Sequence, residues 1–177
     1  MQEKGSVYTE IARKALENHV RGKRLSSIPP DLSPDLQKPG AAFVSIKKRG
    51  ELRGCIGTIS PTKRTLAGEI AANAVSAGLK DPRFPPVSED ELPELTYSVD
   101  VLSEPEKVED INELDPQRFG VIVRRGGRRG LLLPDLEGIT TVEEQLSIAK
   151  QKAGIFPDEL VEIYRFEVKR YYEKEGN

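Results

Sequence analysis

One cysteine, one histidine, one methionine and no tryptophan occur among 177 residues. A single Cys excludes an internal disulfide and every CxxC-type zinc or redox site. A single His excludes the two-imidazole helix of the usual metalloproteases. All-carboxylate and single-His metal sites stay open, as does a lone Cys–His pair. Charge of one sign is lacking too: 27 Lys and Arg stand against 29 Asp and Glu, a net charge of −2. A polyanion binder working by bulk charge is excluded, and any nucleic-acid site has to be a local patch. Long apolar runs are missing; residues 41–44 are among the longest, far short of a membrane span. The opening Met1-Gln2-Glu3-Lys4-Gly5-Ser6-Val7 has no apolar signal core, and an unpaired Cys fits a reducing compartment. A soluble cytoplasmic protein with no membrane association is expected. Charged residues reach 32%, above the usual quarter, with 13 prolines placed mostly between elements. That profile suggests a thermophile.

The patterning that is present alternates between helical and strand periods. Tyr8, Ile11, Ala12, Ala15, Leu16, His19 and Val20 form one stripe, predicting a helix over 7–22 with Gly22 as its stop. Residues 26–40 read as an extended connector. Ala42, Val44 and Ile46 alternate through one strand, and Leu52, Gly54, Ile56 and Thr58 through a second. Between them a three-residue turn, with Gly50 left-handed, pairs Ile46 with Leu52 and Phe43 with Cys55. This spares Arg49 a positive φ and puts Arg53 and Cys55 on one face with Phe43 and Ser45. Residues 63–79 form the clearest helix, capped by Ser60 or Thr62 and rich in Ala and Gly for close packing. The spacing further predicts a strand over 95–101 and a hairpin of 121–123 with 131–133. A helix over 141–153 and a last strand over 164–172 complete the chain. Interspersed helices and strands with antiparallel neighbours point to an α+β fold: a mixed, largely antiparallel sheet packed by helices. One compact unit is expected, with the 26–40 connector a place where a small lobe could separate.

Leu52-Arg53-Gly54-Cys55-Ile56-Gly57-Thr58 is the most unusual segment. Two glycines in a strand mark a bulge or the close approach of another group. Arg53, two residues before Cys55, could stabilise a thiolate. With the N–H groups near Gly54 and Gly57, it could instead form an anion pocket. The plainer alternative is a buried Cys acting as a small apolar residue, with glycines that fit the 63–79 helix. Asp81-Pro82-Arg83-Phe84 is a rigid turn whose charged groups either pair with each other or point into a site. His19, on an apolar stripe, reads as a packing residue rather than a base. Arg124, Arg125, Arg128 and Arg129 surround a glycine pair, which reads as a solvated hairpin tip: no helix follows and no aromatic platform interleaves it. The acidic stretch from 89 to 115 lacks Ca²⁺-loop spacing and reads as a solvated face.

Together, Leu52-Arg53-Gly54-Cys55-Ile56-Gly57-Thr58, Asp81-Pro82-Arg83-Phe84, Val101-Leu102-Ser103-Glu104-Pro105 and Gly130-Leu131-Leu132-Leu133-Pro134 resemble the AMMECR-type domain family. The order and spacing agree from about residue 7 to 173. The family's bacterial and archaeal members are similar to protein A of the AmmeMemoRadiSam system. The resemblance implies an α+β fold with a smaller second lobe, with 52–58 near the junction of the two. By association it also implies a Memo-like protein and a radical SAM protein as partners. It supplies no reaction and no cofactor. The favoured expectation is a ligand-binding or accessory protein whose polar pocket is lined by Arg53, Gly54, Gly57, Thr58, Asp81 and Arg83 and takes a small anionic ligand. The alternatives are an enzyme using Cys55 as nucleophile and nucleic-acid binding by the arginine hairpin. No metal site is expected.

Overall fold

A computed structural model describes residues 2–4 and 6–173. The fold is α+β, and the chain divides into two compact units. The first unit runs to Val101 and resumes at Lys169. It contains β1 (Gln2–Lys4), α1 (Val7–Val20), α2 (Pro34–Gln37), β2 (Ala41–Lys48), β3 (Glu51–Gly57), α3 (Leu66–Leu79), β4 (Leu95–Leu102) and β9 (Val168–Tyr172). Its five strands lie in the order β1-β9-β4-β2-β3, with β1 and β9 parallel and β2 and β3 antiparallel. One core joins Ile11 and Leu16 of α1, Val44 and Ile46 of β2, Ile70 and Ala74 of α3, and Tyr97 and Val99 of β4.

The close packing expected of the Ala-rich helix is realised. A Cβ at Gly54 would lie 2.0 Å from the Ala77 carbonyl oxygen, so only glycine lets the α3 backbone rest on β3. The cap differs from expectation. Thr65, not Ser60 or Thr62, accepts the Gly68 N–H at 3.0 Å. Thr62 instead donates to the Glu69 carboxylate, and the helix starts at Leu66 rather than at 63.

The β2–β3 register also differs. The turn has two residues, and Arg49 and Gly50 both take positive φ, 50° and 82°. Such a turn matches the strand twist, which outweighs the local cost at Arg49. Lys47 then faces Leu52, but Ile46 faces Gly54, so Arg53 is an extra, bulged residue. The bulge returns Val44 opposite Ile56 and places Cys55 opposite Ser45. Leu52, expected in the apolar face, is 42% exposed.

The second unit, Leu102–Val168, holds β5 (Glu106–Val108), β6 (Gly120–Arg125), β7 (Arg128–Leu132), α4 (Val142–Lys152) and β8 (Glu162–Phe166). Its sheet, ordered β5-β8-β6-β7, is antiparallel throughout. Val121, Val123 and Leu132 pack with Ala149 of α4 and Ile155. The device seen at Gly54 recurs: a Cβ at Gly130 would lie 2.0 Å from the Ala149 carbonyl oxygen. The expected final strand is two strands in two sheets, β8 and β9. At Glu167 the backbone leaves the β8 ladder to exchange bonds with Ser103. No helix among the described residues is long and apolar enough to cross a membrane.

Candidate functional site

Cys55 sits on β3, at the edge of the first sheet, so its N–H points away from β2. The Asp81 carboxylate accepts that N–H at 3.0 Å. Across the ladder, the Ser45 hydroxyl donates to the Cys55 sulfur at 3.1 Å, and the thiol is half-buried. Asp81 follows α3, and its side chain is only 2% exposed. Pro82 holds the turn that brings Arg83 back onto it. Arg83 donates through its backbone N–H and Nε to Oδ1, both at 3.0 Å, and through Nη2 to Oδ2 at 2.8 Å. These bonds, the Arg83 guanidinium above all, hold the Asp81 carboxyl far below the usual carboxylate range. Arg83 is raised in turn by Asp81 first, with a contribution from the nearby Cys55 sulfur. Its side chain is 56% exposed, so one face of a fixed guanidinium meets solvent beside the thiol.

The structure thus brings Cys55, Asp81 and Arg83 together and adds Ser45 to them. It sends Arg53 elsewhere. As the bulged residue, Arg53 turns to Glu91 in the 3-10 segment Glu89–Glu94, with Nε and Nη2 each 3.0 Å from a carboxylate oxygen. Lys48 and the Ser88 N–H also bond Glu91, whose carboxyl lies well below its usual range, chiefly because of Arg53. The expected approach of Arg53 to Cys55 is therefore replaced by a link from Arg83 through the Asp81 carboxylate to the Cys55 N–H. Part of the acidic stretch is likewise not a solvated face: Glu91 is mostly buried, and buried Asp100 forms a bidentate pair with Arg170.

Gly54 serves the α3 contact, and Gly57 leaves room for the Phe43 ring, 2.1 Å from where a Cβ would stand. The Thr58 N–H bonds Ala42 in the inward direction, so by alternation the Gly57 N–H points to the open edge as that of Cys55 does. The Thr58 hydroxyl is engaged. It donates to Glu69 at 2.6 Å and accepts from Asn73 at 3.3 Å.

Glu69 is the residue the sequence reading missed. It is fully buried, yet it accepts the Thr58 hydroxyl, the Thr62 hydroxyl and the N–H groups of Thr62 and Lys63, all within 2.8 Å. Burial alone would raise its pKa, but these donors prevail and lower it. The signal was there to read: Glu69 is the one charged side chain in Leu66–Leu79.

His19 is exposed on α1 rather than packed in the core. It lines a groove of about 300 Å³ with Ala15, Ala71 and Val75 and is not a partner of Cys55. On the hairpin, Arg124 pairs with Glu162, and Arg125 and Arg128 pair with Glu159, which shrinks the free positive charge there. No metal-binding cluster of three or more His, Cys, Asp or Glu residues occurs among the described residues.

The fold and site define an α+β protein of two sheet units, with a half-exposed thiol beside a carboxylate-anchored guanidinium in the first. The AMMECR1 family profile matches residues 9–171, and the chain belongs to that family. A Thermotoga maritima protein is 56% identical over 93% of this chain and 96% of its own length. Protein CA_C1420 of Clostridium acetobutylicum is 49% identical over 94% of this chain, which corresponds to 36% of that longer protein. Among solved structures, uncharacterized protein PH0010 from Pyrococcus horikoshii superposes with a TM-score of 0.85 at 32% identity, covering 97% of this chain and 92% of that one. Thermophiles are among the sources of these relatives.

Proposed function

We propose that the first unit binds a small anionic ligand, a carboxylate or phosphate, at the open edge of β3. The observation that carries this reading is the fixed, half-exposed guanidinium of Arg83, anchored on buried Asp81 beside Cys55. Two of its nitrogens are committed to Asp81, which leaves Nη1 to meet a ligand oxygen in a charge-assisted bond. The outward Gly57 N–H supplies a second donor. Arg53, Gly54 and Thr58 support the site from behind through Glu91, α3 and Glu69. In the test, inorganic phosphate and succinate are titrated against thermal unfolding. A ligand that binds only the folded state raises the midpoint by mass action. The wild-type midpoint is expected to rise with one of the two anions and that of Arg83→Gln to stay flat. Equal shifts in both proteins would contradict the proposal.

A second reading, nucleophilic chemistry at Cys55, is favoured by the half-exposure of the thiol and by the Ser45 hydroxyl that donates to its sulfur and orients it. The Cys55 sulfur is bonded to the Ser45 hydroxyl, and the nearby Asp81 carboxylate is committed to the Cys55 N–H and to Arg83 rather than to the thiol. Binding is therefore the primary reading.

A further inference from the structure

The second unit carries an unusual surface beside the β6–β7 turn. Leu160 and Phe156, in the segment between α4 and β8, are 85% and 69% exposed, the largest values for large apolar side chains among the described residues. That segment is held firmly. Lys150 Nζ donates to the carbonyls of Pro157 and Glu159 at 2.9 and 3.1 Å. Arg125 donates to the Leu160 carbonyl at 2.6 Å and Arg128 to the Gly154 carbonyl at 2.8 Å. The Glu159 carboxylate accepts the Phe156 N–H at 2.7 Å while bonded to Arg128 at 2.6 Å. Six side-chain hydrogen bonds thus fix a loop whose apolar side chains point to solvent, the preorganisation that reduces the ordering cost of binding.

Leu160 also lines a groove of about 500 Å³ with Val161, Arg124, Arg125, Gly126 and Glu162. Four arginines and Lys150 outweigh Asp158, Glu159 and Glu162, so this face is positive in a chain whose net charge is −2. Arg129 is exposed and has no partner among the described residues. We propose that this loop and hairpin form a docking surface for an acidic protein segment that seats an apolar side chain against Leu160. Concavity favours a peptide over a bilayer. The exposed Leu160 and Phe156 beside these cations suit an acidic segment that also carries an apolar side chain better than a bare phosphate backbone.

The test is fluorescence anisotropy on the full chain with a labelled acidic peptide carrying a central leucine. A lysine-for-acid version, single-stranded RNA and phosphatidylserine vesicles serve as competing probes. Saturable binding is expected, weakening about tenfold in high salt as exposed charges are screened. Leu160→Ser and Arg129→Glu, both at exposed positions, are each expected to weaken it by about fivefold or more with thermal unfolding unchanged. Phe156→Ser provides a third variant should either misfold. The proposal is overturned by an absence of saturable binding, by equal binding of the lysine peptide, by full affinity in the variants, or by preferential binding of RNA or vesicles.

Discussion

At the residue scale, Asp81 organises the candidate site. Its buried carboxylate ties an edge-strand N–H to a guanidinium, so Asp81→Asn should loosen both contacts. A loss of about 1–2 kcal/mol is expected in denaturant unfolding, because Arg83 is substantially exposed. The pH dependence has a definite sign. Asp81 and Glu91 both have folded-state pKa values below their unfolded ones. The unfolded chain then binds more protons, and stability is fully present above about pH 5 and lost as pH falls through the unfolded and then the folded values. Urea midpoints measured from neutral to acid pH should decline below that point, less steeply in Asp81→Asn. An unchanged slope would remove Asp81 from the account. Cys55 and the Asp81-to-Arg83 turn were legible in the sequence because scarce or rigid residue types mark them. The link from Arg83 through Asp81 to Cys55 was not. One bulge at Arg53 turns that cation to Glu91, and a bulge leaves no trace in periodicity.

At the scale of elements, both helix-to-sheet contacts rest on a strand glycine facing a helix carbonyl, Gly54 on α3 and Gly130 on α4. Gly54→Ala and Gly130→Ala should each destabilise by about 1–3 kcal/mol, since a backbone carbonyl cannot swing aside as a side-chain end can. Thermal unfolding checks both, and a wild-type midpoint in either would contradict the close contact. Glu69 holds residues 58–63 onto the start of α3. Glu69→Gln would set an amide N–H₂ against donors and is expected to cost about 2–3 kcal/mol and to expose that loop to proteolysis. Helices α1, α3 and α4 were legible from their stripes and stops, and Gly22 and Gly154 do take positive φ at two of their ends. The short strands β1 and β5, of three residues each, were not: three residues cannot display an alternation. Nor was the break at Glu167, where the sequence alternates smoothly but the backbone changes partners to Ser103.

For the whole molecule, the second unit is continuous in sequence and has its own sheet, helix and core. Residues 102–168 expressed alone are expected to unfold cooperatively by circular dichroism, with the modest stability of so small a domain. A non-cooperative transition would show that this core depends on the rest of the chain. The near-zero net charge hides opposite local fields: carboxylates gathered around Lys48 and Arg53 in one unit, and an arginine hairpin in the other. The central claim concerns the first of these units, that Arg83 makes the Cys55 edge an anion site. The most direct test compares alkylation of Cys55 by iodoacetate, an anion, with alkylation by neutral iodoacetamide, using glutathione as the reference thiol. An Arg83-centred anion site predicts an iodoacetate-to-iodoacetamide rate ratio above that of glutathione, falling to the glutathione value in Arg83→Gln. A ratio equal to that of glutathione in the wild type, or one unchanged by the substitution, would contradict it.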